Sequence, residues 1–76
     1  MTLSAYLAGV SEEDERRCDA MAAAGDELRA AVAWRVCQGK AAVFTALTGI
    51  PEDRIIRYAD TGEISDDDKR VLEIYR

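Results

Sequence analysis

The stretch TALTGIPEDRIIRYADTGEIS, residues 45–65, reads as two short helices joined by a tight turn. Gly49-Ile50-Pro51 punctuates it, and Gly49 is the residue type that enters a positive-φ turn without steric cost. Pro51 suits an early helical position, because the N–H it lacks would have no intrahelical partner there. Glu52 and Asp53 follow, carboxylates of the sign a helix N-terminus favours. Gly62 ends the second segment. Phe44, Leu47, Ile50 and Ile55 are predicted to converge on the wedge between the two helices and hold them at a steep angle.

The rest of the chain is read outward from this unit. After Gly62, Ser65 and Asp68 form a capping box for a last helix, SDDDKRVLEIYR, whose Val71, Leu72 and Ile74 or Tyr75 would close the core. Upstream, Asp26 can cap DELRAAVAWRVCQG, closed by Gly39. There Leu28, Ala31, Val32, Arg35 and Val36 share one side, and Trp34 and Cys37 broaden it. Ser11 opens an earlier helix with Glu12-Glu13-Asp14-Glu15 in its first turn and Arg16-Arg17 behind them. Gly25 either breaks the chain before Asp26 or only weakens one long helix. At the start, Leu3, Tyr6, Leu7 and Val10 fall at i, i+3, i+4 and i+7, which predicts one apolar stripe on a short helix capped by Thr2 and ended by Gly9. Trp34 and Phe44 are expected to be core, and Tyr6, Tyr58 and Tyr75 to be half-buried. No segment alternates with the period of a strand. The expectation is an all-α fold: a compact bundle of five or six short helices in a single domain, residues 1–76, with the helix-turn-helix-like unit at about 41–62.

Composition agrees. Hydrophobic residues make up 49% of 76 residues, with one Pro, an alanine-led helical profile. A chain this short buries only about 60–65% of the surface its unfolded form exposes, so local propensity must help. The longest uncharged run, Ala41–Pro51, is too short to span a bilayer, and no basic-then-apolar leader opens the sequence. A soluble, cytoplasmic protein without membrane contact is expected. Cys18 and Cys37 are the two cysteines and His is absent. That argues against a zinc site and for two small buried thiols, although the spacing does not forbid a bridge between helices. With no His, no nucleophile beside an evident base, no phosphate loop and no metal cluster in the pattern, neither an enzyme nor a cofactor is expected.

Charge is the other constraint. Fifteen acidic residues against ten basic leave a net charge of −5. Neither half of the chain is basic, so no stripe of Lys and Arg awaits a phosphate backbone.

Residues 43–62 resemble the helix-turn-helix of the Cro and phage-repressor (XRE-like) family, through Phe44, Thr45, Leu47, Gly49, Ile50, Ile55, Arg57, Tyr58 and Gly62. With the helix that follows, the resemblance runs over residues 43–75. It implies a recognition helix at about Pro51–Thr61, with Arg54 and Arg57 as DNA contacts and dimerisation supplying half-site spacing. The sequence departs from that pattern at the reading positions. Lys40-Ala41-Ala42 replace the family's Gln-rich entry, Pro51 replaces the Ser or Thr cap, and Glu52 and Asp53 stand where base-reading members carry amides or Arg. Beside phosphates, each carboxylate costs Coulomb energy unless a specific base contact offsets it.

In size, acidity and lack of chemistry the chain is similar, at the level of class, to small acidic phage inhibitors such as anti-CRISPR proteins and DNA mimics. This resemblance implies an inhibitor whose carboxylates occupy the cationic groove of a basic nucleic-acid-binding protein or complex. The residues assigned to that surface are Glu12, Glu13, Asp14, Glu15, Glu52, Asp53, Asp60, Asp66, Asp67 and Asp68. The alternative is direct DNA binding by a Cro-like regulator, monomer or homodimer, through Arg54 and Arg57.

Overall fold

The computed structural model describes residues 2–75. It contains α1 (Leu3–Ala8), α2 (Glu12–Ala23), α3 (Glu27–Cys37), α4 (Ala41–Thr48), α5 (Glu52–Thr61) and α6 (Asp66–Tyr75), an all-α bundle. Polar caps place most of the boundaries. The Thr2 hydroxyl accepts from the Ala5 N–H at 3.1 Å, Ser11 from Asp14 at 3.2 Å, Asp26 from Arg29 at 3.4 Å and Ser65 from Asp68 at 3.2 Å. Each contact supplies a partner to one of the orphan amides of a first turn.

Gly25 does break the chain, with φ +89 between α2 and α3. Pro51 stands one position earlier than the sequence suggests. Its ψ of 143 keeps it outside α5 as the N-cap, so the helix begins at Glu52. Between α4 and α5, Gly49 is left-handed and the Thr48 hydroxyl locks the corner. That hydroxyl donates to the Phe44 carbonyl at 2.6 Å and accepts from the Ile50 N–H at 3.2 Å.

Helix α3 is the hub: α2 packs on one side of it and α5 on another, while α4 packs on α5 and α6. The main core joins Leu28 and Val32 of α3, Ala41 and Phe44 of α4, Ile55 and Tyr58 of α5, Leu72 of α6, and Ile50 from the turn. Ile55, Leu72 and Val32 are its largest fully buried side chains. A second, smaller cluster of Cys18, Ala33 and Ala59 lies where α2, α3 and α5 meet, with Met21, Trp34, Val36 and Cys37 against it.

Three apolar assignments differ from the sequence pattern. Of the stripe read at the start of the chain only Val10 is buried: Leu3, Tyr6 and Leu7 are 72%, 69% and 74% accessible, and Ala5 is the buried residue of α1 instead. A six-residue helix has too few turns for a stripe to decide which side faces inward. Leu47 lies outside the wedge and is half-exposed, because Phe44, Ile50 and Ile55 already fill that corner. In α6, Leu72 closes the core with Val71 beside it, whereas Ile74 and Tyr75 are exposed. Tyr58 is fully buried rather than half-buried and Trp34 is only partly buried rather than core, while Phe44 is core, as expected.

Candidate functional site

Helix α5 is the element on which charge and fold meet. Ile55, Tyr58 and Ala59 point inward, and the remaining positions leave a polar outer face. Its C-terminal end is held by a group from far along the chain. The Arg29 guanidinium, on α3, donates from Nε to the carbonyls of Tyr58 at 3.2 Å and Ala59 at 3.3 Å. From Nη2 it donates to Ala59 at 3.2 Å and Asp60 at 2.8 Å. The Tyr58 carbonyl also accepts from the Gly62 N–H at 2.9 Å, whereas those of Ala59 and Asp60 lie past the last amide of the helix, and a cation there complements the negative end of the macrodipole. Gly62 then leaves the helix at φ +79, and a Cβ on it would meet the guanidinium at 3.6 Å. Sequence reasoning had given Arg29 no role. A contact across about thirty positions has no local signature.

The ten carboxylates assigned to an acidic surface are not equivalent. Glu12, Glu13, Glu52, Asp53, Asp60, Asp66 and Asp67 are exposed. Glu15 is a correction: it is 8% accessible and its carboxylate accepts from the Thr2 N–H at 3.2 Å, tying the start of the chain to α2. It faces inward because Glu15 and Cys18 form the buried side of α2. Asp14 is half-buried and pairs with Arg17 at 3.6 Å; the same Arg17 reaches Asp60 of α5 at 3.6 Å. Asp68 is largely covered and pairs with Arg54 at 3.1 Å.

Two ion pairs draw these elements together. Arg54–Asp68 ties the first turn of α5 to the first turn of α6, which brings the Glu52-Asp53 and Asp66-Asp67-Asp68 runs to one edge. Arg17 links the Asp14 region of α2 to Asp60 at the other end of α5. The Glu12-Glu13 run therefore belongs to the far end of α5, while Glu52, Asp53 and the aspartates of α6 crowd its near end. A shallow recess of about 200 Å³ lies beneath the near edge, lined by Ile50, Ile55, Ile64 and Leu72 under the ion-paired side chains.

The same pairs occupy the two arginines assigned to DNA. Arg54 is taken by Asp68, and Arg57 by Glu63 at 3.1 Å, both from the segment that follows α5. Exposed pairs of this kind contribute little to stability, about 0–1 kcal/mol, but each neutralises a charge that a phosphate would need. Residues 52–68 carry seven acids, at 52, 53, 60, 63, 66, 67 and 68, against Arg54 and Arg57. That segment alone accounts for a net −5, the whole excess of the chain, and the other positions balance.

Cys18 and Cys37 are free thiols lying side by side where α2 meets α3, in a small recess with Asp14, Arg17 and Asp60. Burial pushes the Cys18 thiol up to about 11, helped by neighbouring Cys37. Cys37 is also raised, by burial and then by the Asp14 carboxylate. Tyr58 is raised by burial and then by Asp26, and its buried hydroxyl has no hydrogen-bond partner among the described residues. Among the described residues no helix is long and apolar enough to cross a membrane, and no cluster of three or more His, Cys, Asp or Glu is arranged to hold a metal ion.

Comparison with protein-family models, curated proteins and solved structures yields no match.

Proposed function

We propose that this chain is a small, non-enzymatic inhibitor of the anti-CRISPR or DNA-mimic kind, one that covers the cationic groove of a nucleic-acid-binding protein with the carboxylates of α5 and the turn of α6. The observation that supports this reading is the concentration of the full −5 charge in residues 52–68. There Glu52, Asp53, Asp66 and Asp67 are exposed, and both arginines are engaged by neighbouring acids. Carboxylates on a rigid helical edge accept charge-assisted hydrogen bonds from Lys and Arg at low ordering cost. Their summed field steers a cationic surface toward them. Glu12, Glu13 and Asp60 extend the surface at the other end of α5. Glu15, being buried, takes no part.

The second reading is a Cro-like regulator. The left-handed Gly49 between α4 and α5, and arginines 54 and 57 that remain more than half exposed within their ion pairs, favour it. Entry into a major groove would require both arginines to leave their carboxylates.

The tagged chain, expressed in its native host, tests the first reading. A nucleic-acid-binding protein is expected to co-purify, to be released by salt or by competing duplex DNA, and to be lost with the double substitution Glu52→Lys/Asp53→Lys. Capture that survives that charge reversal rules out a mimic working through this face. In a mobility-shift assay with random duplex at low salt the wild type is expected to give no retardation. A salt-sensitive shift would favour the regulator.

A further inference from the structure

The other basic residues of this acidic protein point to a second surface. Arg16, Arg17, Arg54 and Arg57 pair with carboxylates, and Arg29 is spent on the carbonyls of α5. Arg35 and Lys40, like Lys69 and Arg70 on α6, are exposed and enter no ion pair among the described residues. Arg35 and Lys40 flank a groove of about 350 Å³ whose other walls are Val43, Phe44 and Leu47 of α4 and Tyr75 of α6. Val43, Leu47 and Tyr75 are 53%, 51% and 47% accessible, a contiguous apolar floor left open to solvent. Arg35 sits in the last turn of α3, where the helix dipole favours a cation. Lys40 occupies the N-cap of α4, where the dipole opposes one and where no side chain caps the helix. Internal electrostatics therefore give no reason for Lys40 to be there.

We propose that this groove docks an amphipathic helix of a partner protein, with apolar anchors inserted along α4 and acidic side chains against Arg35 and Lys40. Val43 and Leu47 are one turn apart on α4, the spacing that accepts anchors from consecutive turns of a docked helix. The volume is sufficient for a few such side chains. Charge complementarity chooses the sign: unpaired cations beside an apolar floor select carboxylates on the incoming helix. The surface is separate from the acidic edge. Along α6, Asp68 and Tyr75 are about 10 Å apart at 1.5 Å per residue. Both could be occupied together, so this proposal does not depend on the acidic edge having a partner.

The long-range field makes the test sharp. With a net charge of −5, attraction at a distance favours a basic peptide, so preference for an acidic one can arise only from the groove. The probes are two fluorescein-labelled amphipathic peptides of about 14 residues (four helical turns), leucines on one face and either glutamates or lysines on the other. Fluorescence anisotropy is expected to show tighter binding of the glutamate peptide. Its amide shifts on the protein should centre on Arg35, Lys40, Val43, Leu47 and Tyr75. Arg35→Glu/Lys40→Glu is expected to reverse the preference, and Leu47→Asp to weaken binding about tenfold or more. Val43→Asp is a second, independent probe of the floor, and circular dichroism verifies that each variant is folded. Tighter binding of the lysine peptide at the groove itself, read from amide shifts at Arg35, Lys40, Val43 and Leu47, overturns the proposal, as do glutamate-peptide shifts centred on α1. So does concentration-dependent dimerisation in sedimentation that Leu47→Asp abolishes, which would assign the groove to a second copy of this chain. The glutamate-peptide shifts report the groove whether or not the acidic edge has a partner, so the two readings fail separately.

Discussion

Replacing Arg29 with Met probes the contact that docks α5. The substitution keeps most of the aliphatic volume and removes a guanidinium that donates to the carbonyls of Tyr58, Ala59 and Asp60 at 2.8–3.3 Å. Hydrogen bonds involving a charged group contribute about 1.5–3 kcal/mol each, and a cation at a helix C-terminus about 0.3–1 kcal/mol. One half-buried guanidinium shared among three carbonyls does not collect the sum, since solvent can reach the vacated carbonyls. A net loss of about 2–4 kcal/mol is expected. A domain of this length has about 4–11 kcal/mol in all, so urea unfolding should show a markedly lower midpoint at unchanged slope. Tm should drop by about 8–32 °C, at roughly 4–8 °C per kcal/mol. Arg29→Lys retains the charge without the planar fork and should recover only part of the loss. Amide exchange locates the effect: protection at Thr61 and Gly62 should fall more than at Ile55. An Arg29→Met midpoint equivalent to within about 0.5 kcal/mol of wild type, the range of ordinary surface changes, would refute the idea that this clamp holds α5 in place.

Other expectations follow from burial and titration. The Cys18 thiol, pushed up to about 11 from 9.0, should be about 100-fold less ionised near pH 8 than an ordinary one. Alkylation by iodoacetamide should be slower in the native state than in urea by at least that factor. The native state holds that proton more tightly than the unfolded chain, so this contribution is complete below pH 9 and declines as pH rises from 9 to 11. Urea midpoints measured across that range should fall, with an upper bound of about 3 kcal/mol from Cys18. Tyr58→Phe removes a buried hydroxyl without a partner among the described residues and should leave stability unchanged or raise it by up to about 1 kcal/mol; a loss above that would reveal a bound water. Leu72→Ala, at a fully buried site, should cost about 2–5 kcal/mol in chemical denaturation. Leu7→Ala, at 74% accessibility, should change it by less than about 0.5 kcal/mol.

The sequence by itself determined where the helices begin and end and which class of fold they build. Thr2, Ser11, Asp26 and Ser65 cap through bonds within three residues, and glycines at 9, 49 and 62 turn the chain through their own left-handed φ. Such signals are local, so they are legible without neighbours. Tertiary structure decided which apolar and charged groups face what. The stripe on α1 and Leu47 had the right spacing but no surface to meet, whereas Ala33 and Ala59, too small to stand out in a pattern, became the second core. Glu15 turned inward to an amide at the start of the chain, and Arg29 reached the end of α5. Arg54 and Arg57, which the helix-turn-helix resemblance assigns to DNA, pair with Asp68 and Glu63 in the fold. Electrostatic partners are chosen by proximity in three dimensions, and periodicity along one chain carries that information only within a helix turn or two.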